Sequence, residues 1–144
     1  MSWTEIASEF AWDGSLRDIY VVGTTLGDWQ RILDSLLERD SIVLVFSENG
    51  EKIPVPPIAK FIFERRGEAA MMLEVTVGNI RVNCHFFCEE QVEFDIDPRD
   101  VRDEEDFEVI ADFMSILADA TGKPAILTHE NIADAVILTM QPRG

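Results

Sequence analysis

The chain has 144 residues, 28 of them Asp or Glu and 12 Lys or Arg, and carries a formal net charge of −16 with 47% hydrophobic residues. That charge repels nucleic acids and anionic lipid surfaces and favours cationic partners, while the apolar fraction is too high for a disordered chain. The length suits a single domain spanning 1–144. The start MSWTEIASEF has acids where a signal peptide needs a basic end and an apolar run, and no apolar stretch approaches the roughly 20 residues that span a bilayer. Two cysteines, Cys84 and Cys88, are too few for a disulfide framework, so a cytoplasmic location is expected.

Residues 16–24, LRDIYVVGT, read as a strand from their β-branched and aromatic content. A helix is predicted over 26–39: Trp29, Ile32, Leu33, Leu36 and Leu37 recur at helical spacing, and Thr25 stands three residues before Asp28 as in a capping box. IVLVF, 42–46, is a short continuous apolar run that suits a strand buried on both faces. Pro54, Pro56 and Pro57 exclude regular structure up to about residue 57, after which 58–66 reads as a two-turn helix with Pro57 at its first position, an edge strand being the alternative.

The centre of the chain alternates. Leu73, Val75 and Val77 face one way and Met72, Glu74 and Thr76 the other; after the hairpin signal Gly78-Asn79, Ile80, Val82, Cys84, Phe86 and Cys88 continue the apolar side against Arg81, Asn83, His85 and Phe87. The turn pairs Val77 with Ile80 and Val75 with Val82, and sets Glu74 beside Asn83. A three-residue loop, Glu89-Glu90-Gln91, would bring Val92, Phe94 and Ile96 to the same apolar face, with His85 opposite Asp95, Phe87 opposite Glu93 and Asn83 opposite Asp97. A helix over 103–121 follows, capped by Asp103, with Glu104, Glu105 and Asp106 against the positive end of its dipole, a stripe of Phe107, Ile110, Phe113, Met114 and Leu117, and a stop at Gly122. Strands at 125–128 and 135–140 close the chain around the polar loop 129–134.

This order predicts an α+β two-layer domain: a mostly antiparallel sheet with helices 26–39 and 103–121 on one face. No Ser-His-Asp order, glycine-rich phosphate loop, H-E-x-x-H or nucleotide fingerprint occurs, so no catalytic residue, cofactor or metal ligand is assigned. Lys60 with Arg65 and Arg66 is too small a cluster for nucleic acid. Cys84 and Cys88 would lie roughly 13 Å apart on a strand, beyond disulfide reach, with His85 on the opposite face, so both read as buried thiols.

Two surfaces remain. The acidic segment from Glu89 to Asp112 has only Arg99 and Arg102 as counter-charges, and predicts docking of a basic protein through Glu89, Glu90, Glu93, Asp95, Asp97, Glu104, Glu105 and Glu108. An inhibitor- or immunity-type role is the most specific form of that expectation. The alternative is a small enzyme or metal-dependent binder built on Glu74, Asn83, His85, Asp95 and Asp97, since a histidine among carboxylates is an acid–base or hard-metal ligand set. A third reading gives the charge to solubility alone. Trp3 and Trp12 should pack over the sheet edge or first helix, and would mark a protein contact or homodimer interface if exposed.

Overall fold

A computed structural model describes residues 2–143. A short helix α1 (Trp3–Ile6) and a 3-10 turn (Ala7–Phe10) precede β1 (Arg17–Val22), α2 (Leu26–Leu37), the hairpin β2 (Ile42–Glu48) and β3 (Glu51–Ile53), and α3 (Ala59–Arg65). The meander β4 (Met71–Val77), β5 (Ile80–Cys88) and β6 (Gln91–Ile96) leads to α4 (Glu104–Thr121), β7 (Ala125–His129) and β8 (Val136–Met140). All eight strands form one sheet in the order β3-β2-β4-β5-β6-β1-β7-β8, with every neighbouring pair antiparallel. The fold is therefore α+β.

Local chemistry sets the helix ends. Thr25 accepts from the Asp28 N–H while the Asp28 carboxylate accepts from the Thr25 N–H, so two otherwise orphaned donors at the start of α2 are satisfied together. Asp28 is itself buried and also meets Lys123 at 3.0 Å, which ties the start of α2 to the chain just past α4. Asp103 accepts from the Asp106 N–H at 2.9 Å, and α4 ends where Gly122 adopts φ +68°, a conformation costly for a residue with a Cβ. The Pro57 expectation is corrected: Ile58 is the N-cap of α3, so Pro57 lies before the helix rather than in its first position.

Alternation assigns the two sides of the sheet. Val21, Phe46, Val75, Val82, Phe94 and Leu127 point to one side, where they share a core with Trp29 and Leu36 of α2, Ile62 of α3 and Phe113 and Leu117 of α4. Edge-to-face packing of Phe94 on Phe113, with centroids 5.2 Å apart, joins sheet to helix layer. Each such fully buried aliphatic or aromatic side chain contributes about 1.5–3 kcal/mol. Among the described residues, no helix covers the opposite side, which corrects the expectation for 42–46: Val43 is 57% exposed, because the strand is covered on one face only. That strand also runs on to Glu48 and turns at Asn49-Gly50, both at positive φ, into β3, which ends just before Pro54.

The β4–β5 register is as the sequence predicts, with Val77 opposite Ile80, Val75 opposite Val82 and Glu74 opposite Asn83. The β5–β6 register is not. Cys88 pairs with Gln91 around a two-residue turn, and a bulge between His85 and Cys88 takes up one residue, so Asn83 faces Asp95 and His85 faces Glu93. The displacement is two residues from the expected pairing, and a shift of two keeps every side chain on its face. Tertiary hydrogen bonds pin this turn: the Glu89 carbonyl accepts from Trp29 Nε1 (3.0 Å) and Thr24 Oγ1 (2.7 Å), and the Glu90 carbonyl from the Thr24 N–H. Past the bulge, Cys88 is half-buried rather than buried, a second correction, while Cys84 is fully enclosed; both thiols are free.

Candidate functional site

The helix-free face of the sheet gathers polar side chains from four adjacent strands. β4 supplies Glu74, β5 supplies Arg81, Asn83 and His85, β6 supplies Glu93 and Asp95, and β1 supplies Asp18 and Tyr20. Cross-strand pairing places Glu74, Asn83, Asp95 and Asp18 in one row and His85, Glu93 and Tyr20 in the next. His85 faces Glu93 directly yet reaches diagonally to Asp95, with Nε2 and Oδ2 2.7 Å apart; Asn83 Nδ2 donates to the other Asp95 oxygen at 3.3 Å. Phe87 stacks on the His85 ring, 5.2 Å between centroids and 14° between planes, and limits its motion.

Asp18 is 4% exposed. Its Oδ2 accepts from the Tyr20 hydroxyl at 2.8 Å and from the Asn131 N–H at 2.9 Å, so the β7–β8 loop crosses the sheet here and closes one end of the row. Carboxylates this close in a partly desolvated row shift one another's proton affinities. Burial, then the Asp18 charge, pushes Glu93 up; burial and the bond to Asp18 push the Tyr20 phenol up; the bond to Asp95 raises His85 against the opposing pull of burial.

At the other end of these strands lies a groove of about 450 Å³ bordered by Asp95, Asp97, Asp100, Asn83, Arg81 and Leu16. Arg81 is drawn toward Glu74 at 3.2 Å, and Arg99 grips Asp97 at 2.7 Å while its guanidinium stacks 3.8 Å above Trp12. Arg99 holds Asp97 below the usual carboxylate range, whereas burial and the neighbouring Asp97 push Asp100 up. The gap inside the core between Trp29, Leu36 and Phe86 measures only about 10 Å³, room for no ligand.

Of the residues singled out in the sequence, Glu74, Asn83, His85, Glu93, Asp95 and Asp97 share this face. The acidic segment as a whole does not form one surface, which corrects the expectation of a single docking patch. Glu89 and Glu90 occupy the β5–β6 turn, with Glu90 seven residues and roughly 23 Å of strand away from Asp97. Glu104, Glu105 and Glu108 belong to α4, which packs on the opposite side of the sheet through Phe113 and Phe94. Asp18, Tyr20, Arg81 and Asp100 were not anticipated as site residues. Alternation in RDIYVV does put Asp18 and Tyr20 on one side, but only the pairing of β1 with β6 brings them to Glu93 and Asp95.

Among the described residues, no group of three or more His, Cys, Asp and Glu is placed to hold a metal ion. His129 meets Glu9 at 2.6 Å and Leu16 N–H donates to Glu130, contacts that tie the N-terminal segment to the end of β7. Trp3 packs on Phe10 and Phe107, whereas Trp12 stays 49% exposed beneath Arg99. No protein-family model matches the chain, and neither curated proteins nor solved structures yield a match. Among the described residues, no helix is long and apolar enough to cross a membrane.

Proposed function

We propose that the protein is a non-enzymatic binding module whose helix-free sheet face receives a cationic segment of a partner protein. The observation behind this reading is the groove bordered by Asp95, Asp97 and Asp100 against the single cation Arg81, on the face that also carries Glu74 and Glu93. A concave surface with an excess of acids concentrates its field and steers a cationic partner toward one place. An inhibitor-type role, in which the face blocks a basic surface of another protein, is the most specific form of this proposal. A cytoplasmic location accords with the two unpaired thiols.

The test compares two charge-matched double variants in binding an oligolysine peptide at low salt. Asp95→Asn with Asp97→Asn should weaken binding about tenfold or more, while Glu104→Gln with Glu105→Gln, which removes the same charge from the helix layer, should change it by less than about threefold. Equal losses in both variants would mean that net charge alone attracts the peptide, and the groove reading would fall.

A second reading has its own observation. The His85–Asp95 pair, next to a Glu93 whose proton affinity is raised, is an arrangement suited to accepting and returning a proton, as general acid–base chemistry requires. It predicts a hydrolytic or isomerase activity lost in His85→Gln, whereas the docking reading predicts that this variant still binds the peptide.

A further inference from the structure

At the edge of the acidic groove a carboxylate and an aromatic face hold one guanidinium between them. Arg99 Nε lies 3.0 and 3.2 Å from the two Asp97 oxygens and Nη2 lies 2.7 Å from Oδ2, while the guanidinium carbon sits 3.8 Å from the centre of the Trp12 ring. A forked contact with a carboxylate, combined with stacking on an indole, suits the flat guanidinium of arginine better than the point charge of lysine. Both groups keep their places without the Arg99 side chain. Asp97 Oδ1 accepts the Arg99 backbone N–H at 2.9 Å and so caps the turn Pro98–Asp100, a bond that a change of side chain at this position leaves in place. Trp12 stands between two points gripped by the buried Arg17, which donates to the Ala11 carbonyl at 3.0 Å and to the Asp13 carboxylate at 3.2 Å. Arg99 is the loose member: its side chain is exposed, and among the described residues its guanidinium hydrogen-bonds to Asp97 alone.

We infer that Trp12 and Asp97 form an arginine-recognition site, filled in the free protein by the chain's own Arg99 and taken over by an arginine side chain of the docking partner. The inference rests on the groove reading and deepens it, since it names the side chain that the groove selects. An exposed ion pair contributes little, so one guanidinium can replace another at small cost. The incoming one also brings further cations toward Asp95 and Asp100, which border the same groove. Only the Arg99 side chain has to move, because its backbone N–H stays on Asp97. As an internal competitor Arg99 lowers the apparent affinity by the fraction of molecules in which it fills the site. A lysine-rich segment meets the same field but gains less at Asp97 and Trp12, so preference for arginine over lysine is the signature of the site.

Titration of the intact chain with oligoarginine and oligolysine peptides of equal length at low salt tests this. Wild type should bind oligoarginine about fivefold or more tightly than oligolysine, and Trp12→Leu should cut that preference to below about twofold. Arg99→Gln should tighten oligoarginine binding about threefold to fivefold, whereas Arg102→Gln, which removes the same charge just before α4, should change it by less than about twofold. A Trp12→Leu chain that keeps the full preference would overturn the inference, as would an Arg99→Gln effect no larger than that of Arg102→Gln. The groove reading falls on its charge-matched pairs and this one on Trp12 and Arg99: binding that is lost with Asp95 and Asp97 but indifferent to Trp12→Leu and Arg99→Gln would leave the groove and remove the arginine site. Nuclear magnetic resonance on the unmodified chain gives a reading free of folding defects. The Trp12 indole N–H signal, identified as the one absent from Trp12→Leu, should move further with oligoarginine than with oligolysine, and an equal response to both peptides would also overturn the inference.

Discussion

Truncating Phe94 to alanine probes the face assignment on which the site depends. Phe94 is 1% exposed, sits between Cys84 of β5 and Ile19 of β1, and meets Phe113 of α4 edge to face at 5.2 Å. It also borders the small gap beneath α2, so the lost ring would enlarge an existing void. Both flanking strands are paired on both sides, β5 with β4 and β6 and β1 with β6 and β7, and cannot collapse into it. The expected loss is about 3–5 kcal/mol, the cost of a phenyl ring plus an unrelaxed cavity. Phe87 offers the matched comparison: it is the same residue type on the adjacent strand, but it is 61% exposed on the helix-free face. Phe87→Ala should cost less than about 1 kcal/mol, mainly its stack on His85. Equilibrium urea unfolding with shared slopes would separate the two, and at about 3–4 °C per kcal/mol the Phe94 variant should melt roughly 9–20 °C lower. A loss below about 1 kcal/mol for Phe94→Ala, or equal losses at both positions, would refute the assignment of inner and outer faces.

The His85–Asp95 bond should make stability depend on pH in one direction. Because His85 is raised in the folded state, its contribution is fully present below the unfolded value of about 6.5 and is lost as pH rises through the folded value. The stability gap between wild type and His85→Gln should therefore shrink from slightly acid to alkaline pH, and a gap that widened would contradict the bond. The free thiols should react unequally with a thiol reagent in the native protein: burial pushes the Cys84 thiol well up, so it should wait for unfolding, while half-buried Cys88 should be labelled first, with mass spectrometry of the fragments deciding the order.

Most of what depended on neighbours in sequence was legible without the fold, the hairpin at Asn49-Gly50 and the start of α3 after Pro57 excepted. The Thr25–Asp28 capping box, the Asp103 cap, the Gly122 stop and the Gly78 hairpin are local, satisfied by groups within a few residues, so residue type and spacing suffice to specify them. The alternation from Leu73 to Ile96 likewise separated the core face from the polar face, since a strand's period of two survives any even shift of register. Tertiary structure decided the rest. The β5–β6 turn tightened to two residues because Trp29 and Thr24, 60 and 65 positions from Glu89, donate to its carbonyls, and the bulge that compensates moved His85 from Asp95 to a place opposite Glu93. The site's Asp18 and Tyr20 come from a strand far away in sequence, inserted between β6 and β7, a placement that no local spacing encodes. The acidic segment was divided for the same reason. A run of charge in sequence becomes a surface only where the backbone keeps it on one side, and here the chain crosses from the open sheet face at Asp97 to the helix layer at Asp103.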